Sequence, residues 1–164
     1  MHPNGVTILC PNASVGAIGT VNGVQYTKVD RNTLIAKRDA GENLGLVCTS
    51  GITSLKDMFR KKGPSANTLA SGIGNWDTSS VTNMSRMFAN SNFNQDISNW
   101  DVSSVTNLDR TFNGAQSFNQ DLSSWNTSIE KIMKKTFIKA ISFLSNISTW
   151  NTISVNDIRE TFRE

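Results

Sequence analysis

The chain has 164 residues, a formal net charge of +3, and a composition that is 37% hydrophobic and 18% charged. That length suits one domain or a piece of a larger array, and the composition does not indicate disorder. The charge is too small and scattered to argue for a nucleic-acid partner, and no apolar run approaches the roughly 18 residues of a membrane span.

The start, MHPNGVTILCPN, lacks the charged-then-apolar pattern of a signal peptide, so an exported protein would here be a mature form or a fragment. Residues 1–48 differ in texture from the rest and read as an N-terminal β-rich cap. NGVTILCPN and VNGVQYTKV each read as a strand flanked by Gly and Asn turns. Asp30 suits the N-cap of a helix over RNTLIAKRDA, with Leu34 and Ile35 inward and Gly41 at its C-terminal end. The two cysteines, Cys10 and Cys48, read as a disulfide closing this segment, with two buried free thiols as the alternative. In the chain-entropy model such a loop contributes roughly 4 kcal/mol at most. The pair lacks CxxC spacing and the single histidine is His2, which argues against a zinc or thioredoxin-type centre.

From residue 49 the chain is periodic. Trp76, Trp100, Trp125 and Trp150 are spaced 24, 25 and 25. Twelve residues after each comes Phe88, Phe112, Phe137 or Phe162, and seven before each stands Leu69, Phe93, Phe118 or Phe143. Three before each is Ile73, Ile97, Leu122 or Ile147, and eight after each is Met84, Leu108, Met133 or Ile158. Five positions in phase over four copies signal stacked units that share a core. An earlier partial copy, ITSLKDMF at 52–59, matches VTNMSRMF at 81–88, with RKKGPSAN and its Gly63-Pro64 as a small inserted loop.

Within a unit, Val81, Met84, Met87 and Phe88 form the apolar stripe of a short helix, and Thr82, Thr106 and Asn156 suit its N-cap. ISNWDVSS reads as a short extended strand plus turn. Between them lies a corner, Phe-Asn-Gln-Asp, at 93–96 and again at 118–121. The predicted fold is therefore α/β: a solenoid of about 24–25-residue repeats over 49–164, each a short strand plus a short helix, behind the cap.

MFANSNFNQDISNWDVSSVTNL resembles the 25-residue repeat of the BspA-like leucine-rich-repeat surface proteins, a repeat also described as a bacterial lipoprotein domain of unknown function. The resemblance covers about 49–164, and residues 1–48 resemble the cap that precedes such repeats in secreted bacterial proteins. It implies a leucine-rich-repeat-like solenoid, display at the cell surface or secretion, and protein or host-surface binding rather than catalysis. The chain departs from the pattern where Glu130 replaces the valine of Val81, Val105 and Val155, and where Phe143-Leu144-Ser145-Asn146 replaces the corner. That unit should be the least regular. The last unit stops at Glu164 without a capping element, which reads as a truncated or decaying array.

Several residue sets are candidates for chemistry. Asp96 and Asp121, with Asn94 and Asn119, recur at matched corner positions. Paired carboxylates about 5–10 Å apart serve glycosidases, but here every unit would be a site. After Trp the residue is Asp77, Asp101, Asn126 or Asn151, and an amide can replace a turn-capping acid but not a catalytic one. The corners could instead ligate calcium, and the Trp column could be a sugar-stacking face rather than core. Arg60, Lys61, Lys62, Lys134 and Lys135 are candidate contacts to an anionic partner, or a solvated face. No nucleophile–base constellation or phosphate loop is present. The expectation is a non-enzymatic, cofactor-free scaffold at the cell surface or outside the cell, binding an unknown protein or glycan. The alternative is a carbohydrate- or calcium-binding module built on the Trp or Asn-Gln-Asp columns.

Overall fold

The computed structural model describes residues 5–63, 65–129 and 131–162. The expectations placed on His2, Pro64, Glu130 and Glu164 lie outside the described residues.

The N-terminal part is built on a hairpin of β1 (Ile18–Val21) and β2 (Val24–Lys28), with β3 (Val47–Cys48) parallel to β2 on its other side. The hairpin turns at Asn22 and Gly23, both at positive φ, the conformation that makes Asn-Gly the favoured two-residue turn. This corrects the strand assignments. The strand read over VNGVQYTKV falls on VQYTK with Asn22-Gly23 as the turn before it, an unpredicted strand falls on IGTV, and no strand forms over residues 5–13. Helix α1 (Arg31–Asp39) is capped by Asp30, whose Oδ1 accepts the Thr33 N–H at 2.8 Å. Leu34 is buried beneath α1. Cys10 and Cys48 form a disulfide across 38 residues.

A short 3-10 turn over Leu44–Leu46 joins this part to the periodic segment. Gly45 lies so close to Ser71 that a Cβ there would stand 2.0 Å from the Ser71 carbonyl oxygen. Only glycine permits that approach.

The predicted α/β leucine-rich-repeat-like solenoid is not what the rest of the chain forms. Over the described part of 49–162 the regular elements are one five-residue helix, α2 (Ser65–Leu69), a second 3-10 turn (Ile73–Asn75), and two short parallel strands, β4 (Lys131–Ile132) and β5 (Val155–Asp157). Neither a helix over VTNMSRMF nor a strand over ISNWDVSS exists. Both are runs of turns, so Thr82 and Thr106 cap no helix; their N–H groups donate to the carbonyls of Thr53 and Thr82. The helix starts inside the segment expected to be an inserted loop, 60–67, and runs on to Leu69.

The physical reason is backbone sign. Asp57, Arg86, Arg110, Lys135 and Glu160 stand at one phase of the period, and each has φ between 53° and 60°. An L-residue there breaks a right-handed helix at a cost of about 1–2 kcal/mol. Hydrogen bonds offset that cost. Asp57, Arg86, Arg110 and Lys135 donate their N–H groups to the carbonyls of Ser85, Asp109, Lys134 and Arg159, one period on, at 2.9–3.1 Å. Leu55, Met84, Leu108 and Met133 do the same to Asn83, Asn107, Ile132 and Asp157 at 2.8–2.9 Å. So do Phe59, Phe88, Phe112 and Phe137 to Met87, Thr111, Thr136 and Thr161 at 2.7–2.9 Å. Alternate residues such as Met58 and Met87 close local turns by donating three residues back. The apolar spacing of 3, 3 and 1 is thus satisfied by turns.

Aromatic rings lie in two lines between these turns. Phe59, Phe88, Phe112, Phe137 and Phe162 follow one another at centroid distances of 5.7, 5.4, 5.3 and 5.4 Å. Phe93, Phe118 and Phe143 follow at 6.0 and 5.8 Å. These are offset-stacking distances.

One irregularity was expected at 143–146, and the structure places it elsewhere. Leu144 N–H still donates to Asn119 Oδ1 at 2.9 Å, and Asn146 Oδ1 still accepts the Ser148 N–H at 2.8 Å. The register instead slips at Lys131/Ile132, so that Lys131 pairs with Val155. Lys131 is fully buried, and its Nζ donates to the carbonyls of Val102 (3.0 Å) and Val105. Burial lowers its pKa to about 8, against the opposing charge of Asp101.

Candidate interaction surface

Most of the conspicuous side chains serve the fold. Trp76, Trp100, Trp125 and Trp150 are buried. Their indole N–H groups donate to the carbonyls of Leu44, Ile73, Ile97 and Leu122 at 2.9–3.2 Å, which satisfies a buried donor. The rings present no exposed face to a sugar. Leu69, Met84, Phe88, Phe93, Ile97, Leu108, Phe112, Phe118, Leu122, Met133 and Phe137 are also buried, and Phe143 and Ile147 are half-buried against them.

Two residues predicted as core are not. Ile158 is 61% and Phe162 63% exposed. Each interior copy is covered on both sides, whereas no described residue lies over this last one.

The corner side chains hold backbone. Asp96 and Asp121 accept the N–H groups of Ser98 and Ser123 at 2.8 Å. That bond also holds the Asp121 carboxyl below the usual range. The residues after Trp (Asp77, Asp101, Asn126, Asn151) accept from the N–H two residues on, at 2.9–3.2 Å. Aspartate and asparagine do this equally well. Asn67, Asn94 and Asn119 form a row in which each Oδ1 accepts the N–H of Asn94, Asn119 and Leu144 in turn, at 2.7–2.9 Å. Among the described residues, no group of three His, Cys, Asp or Glu side chains comes together.

The basic residues are divided. Arg60 lies 3.8 Å from Asp57, Lys62 3.8 Å from Asp39, and Lys135 3.2 Å from Glu160. Lys61 and Lys134 form no ion pair among the described residues. Arg159 bonds Asp157 at 2.8 Å and draws that carboxyl down to about 2. The predicted cationic set is therefore partly neutralised.

Two features went beyond the sequence reading. Residues 1–48 read as a cap, but the sequence did not show how α1 makes the cover. Arg31 donates to the carbonyls of Ser54 (3.0 Å) and Lys56 (2.7 Å), and Arg38 to that of Met58 (3.0 Å). These are the positions of Asn83, Ser85 and Met87, whose carbonyls accept from the preceding copy. Guanidinium groups thus stand where a preceding backbone would. Asp30 and the apolar pair Leu34 and Ile35 signalled the helix, but the targets of its arginines are backbone and leave no trace in sequence.

The second is the opposite end. Among the described residues, exposed large apolar side chains occur in the N-terminal part (Val15, Ile18, Val24, Leu46) and from residue 129 onward, with none between. Ile153 and Leu144 are the most exposed, at 92% and 85%. Met133, Ile147, Trp150, Ile158 and Phe162 line a groove of about 390 Å³.

The described residues thus comprise an arginine-capped, disulfide-closed N-terminal part, a periodic run of turns and an apolar groove at Trp150 and Phe162. Residues 53–164 match the family described as "Mycoplasma protein of unknown function, DUF285", and the chain belongs to that family. No curated protein and no solved structure matches it.

Proposed function

We propose that this chain is a non-enzymatic interaction scaffold, secreted or held at a cell surface, that binds a protein or host-surface partner. The observation that carries the reading is the exposure of Ile141, Leu144, Ile153, Ile158 and Phe162, the last two lining the groove that Trp150 also borders. Exposed apolar surface of this kind marks interaction sites. The likeness to BspA-like surface repeats supports the same reading, and the Cys10–Cys48 disulfide supports an oxidising compartment. Among the described residues no helix is long and apolar enough to cross a membrane. The Trp and Asp side chains of the periodic columns are held by packing and backbone, which favours this reading over a sugar or calcium module. The test is an array of host-surface proteins and glycans probed with the folded, oxidised protein. Saturable capture of a protein supports the reading; capture of glycans alone, or calcium-dependent capture, replaces it with the module.

A further inference from the structure

The periodic run carries its charge unevenly. From residue 49 on, every Lys and Arg among the described residues, except the buried Lys131, falls in one recurring turn: 55–62, 84–90, 108–114, 133–139 and, as Arg159, its next occurrence. Backbone bonds between copies align equivalent residues of this turn in columns, and the Phe rings beneath step 5.3–5.7 Å from copy to copy. Arg86, Arg110 and Lys135 share one column, and Lys56, Lys134 and Arg159 share the one before it. Lys61 and Lys139 stand at one phase four residues on, with Arg60 and Lys62 flanking Lys61. These ten cations meet four carboxylates, Asp57, Asp109, Asp157 and Glu160, an excess of six where the whole chain carries +3. Ion pairs join those carboxylates to Arg60, Arg86, Arg110, Lys135 and Arg159, and Asp39 of α1 reaches Lys62. The surplus remains. The other described acids of the run, Asp77, Asp96, Asp101 and Asp121, sit in the corner and post-Trp stretches, beyond the Phe88–Phe93 and Phe112–Phe118 ring contacts of 3.9 and 4.2 Å. Like charges in neighbouring copies repel, so a column of three cations is a cost to the fold that a bound polyanion would relieve.

We propose that this turn face binds a linear polyanionic glycan, sulfated or uronate-bearing, laid along the columns so that successive acidic groups meet successive copies. The regular step of cations favours a polymer over an isolated anion. Over 55–62, 84–90, 108–114 and 133–139 no large apolar side chain is exposed among the described residues. Nothing there enters a bilayer, which favours a glycan over a lipid surface. Nor is any aromatic ring exposed there for bases to stack on, as a single-strand nucleic-acid groove requires. The Cys10–Cys48 disulfide, suited to an oxidising compartment, points the same way. The site shares no residue with the apolar exposure that carries the scaffold reading and does not rest on it.

The experiment titrates size-defined heparin, as the sulfated probe, against the full oxidised chain at about 0.15 M salt. Neutral dextran, phosphatidylserine vesicles and single-stranded DNA are run alongside. Saturable heparin binding is expected, weakening steeply as salt rises. The triple variant Lys61→Gln, Lys134→Gln, Lys139→Gln breaks no ion pair among the described residues and should weaken binding roughly tenfold or more. Lys37→Gln, on α1 and outside the columns, should leave it unchanged. Native tryptophan emission shows that the variants are folded. Absence of saturable heparin binding overturns the proposal, as does binding indifferent to the triple substitution, or tighter binding of the vesicles, the DNA or dextran than of heparin. A protein captured equally by parent and triple variant leaves the scaffold reading intact whichever way heparin falls. Heparin bound with no protein captured removes that reading and leaves this site.

Discussion

Arg31 donates through Nη2 to the Lys56 carbonyl oxygen at 2.7 Å, the position that Asp57 fills for Ser85 one copy on. Arg31→Ala leaves the carbonyls of Ser54 and Lys56 without that donor in a partly buried site. The expected loss is about 1–3 kcal/mol of unfolding free energy, read as a lower urea midpoint at unchanged slope. Arg31→Lys should recover only part, since an ammonium lacks the planar fork that reaches two carbonyls. A midpoint unchanged in both variants would mean that α1 covers the edge by packing alone.

Gly45 meets the Ser71 carbonyl where the N-terminal part joins the periodic run. Gly45→Ala forces the backbones apart at that seam, an overpacking that costs about 1–3 kcal/mol. Gly41→Ala, with open space around it but φ of 79°, tests strain without a clash. Gly45→Ala should also loosen the Trp76–Leu44 bond, seen as a red shift in emission. A Gly45→Ala protein as stable as the parent contradicts the close seam.

Lys131 gives the chain a pH dependence of defined sign. Its folded pKa is lowered by burial from 10.5 to about 8. Below about pH 8 both folded and unfolded states carry the proton, and the burial penalty acts in full. Between about pH 8 and 10.5 the folded state has released a proton that the unfolded state keeps, so stability rises with pH, by up to about 3 kcal/mol at about 1.4 kcal/mol per pKa unit. Lys131→Met should flatten that rise and match or exceed the parent at pH 7. Unfolding series at several pH values read this directly; a parent profile that falls from pH 8 to 10 contradicts it.

Four buried tryptophans predict blue-shifted emission and weak acrylamide quenching in the native protein. Trp150, the most open at 8%, should account for the largest share, so that Trp150→Phe reduces the residual quenching more than Trp76→Phe. Strong quenching of all four would restore the exposed aromatic platform.

The period was legible because Trp and Phe must repeat in phase if rings are to stack, and large apolar residues tolerate few substitutes. The helix was misread because residues at i, i+3 and i+4 line one face of a helix and of a run of turns alike. The deciding residues, Asp57, Arg86, Arg110 and Lys135, adopt positive φ although none is Gly or Asn. Only their neighbours in the second such column, Asn90 and Gly114, carried a local signal. The bond partners of Arg31 and Arg38 are carbonyls, which every residue has. The register shift at Lys131/Ile132 leaves no trace in sequence, and a lysine in the core is not a pattern that hydropathy reveals. Of the candidate surface, the sequence showed Ile158 and Phe162 as core by phase, and only the arrangement in space shows them uncovered.

The central claim is that each copy's alternate N–H groups are closed by the next copy, whereas those of Ile158 and Phe162 donate to no backbone carbonyl among the described residues. Amide hydrogen exchange measured residue by residue tests it most directly. Phe112, donating to Thr136 at 2.9 Å, should exchange only through global unfolding, together with Leu108 and Arg110. Ile158 and Phe162 should exchange orders of magnitude faster. Equal protection of Phe112 and Phe162 would contradict the account.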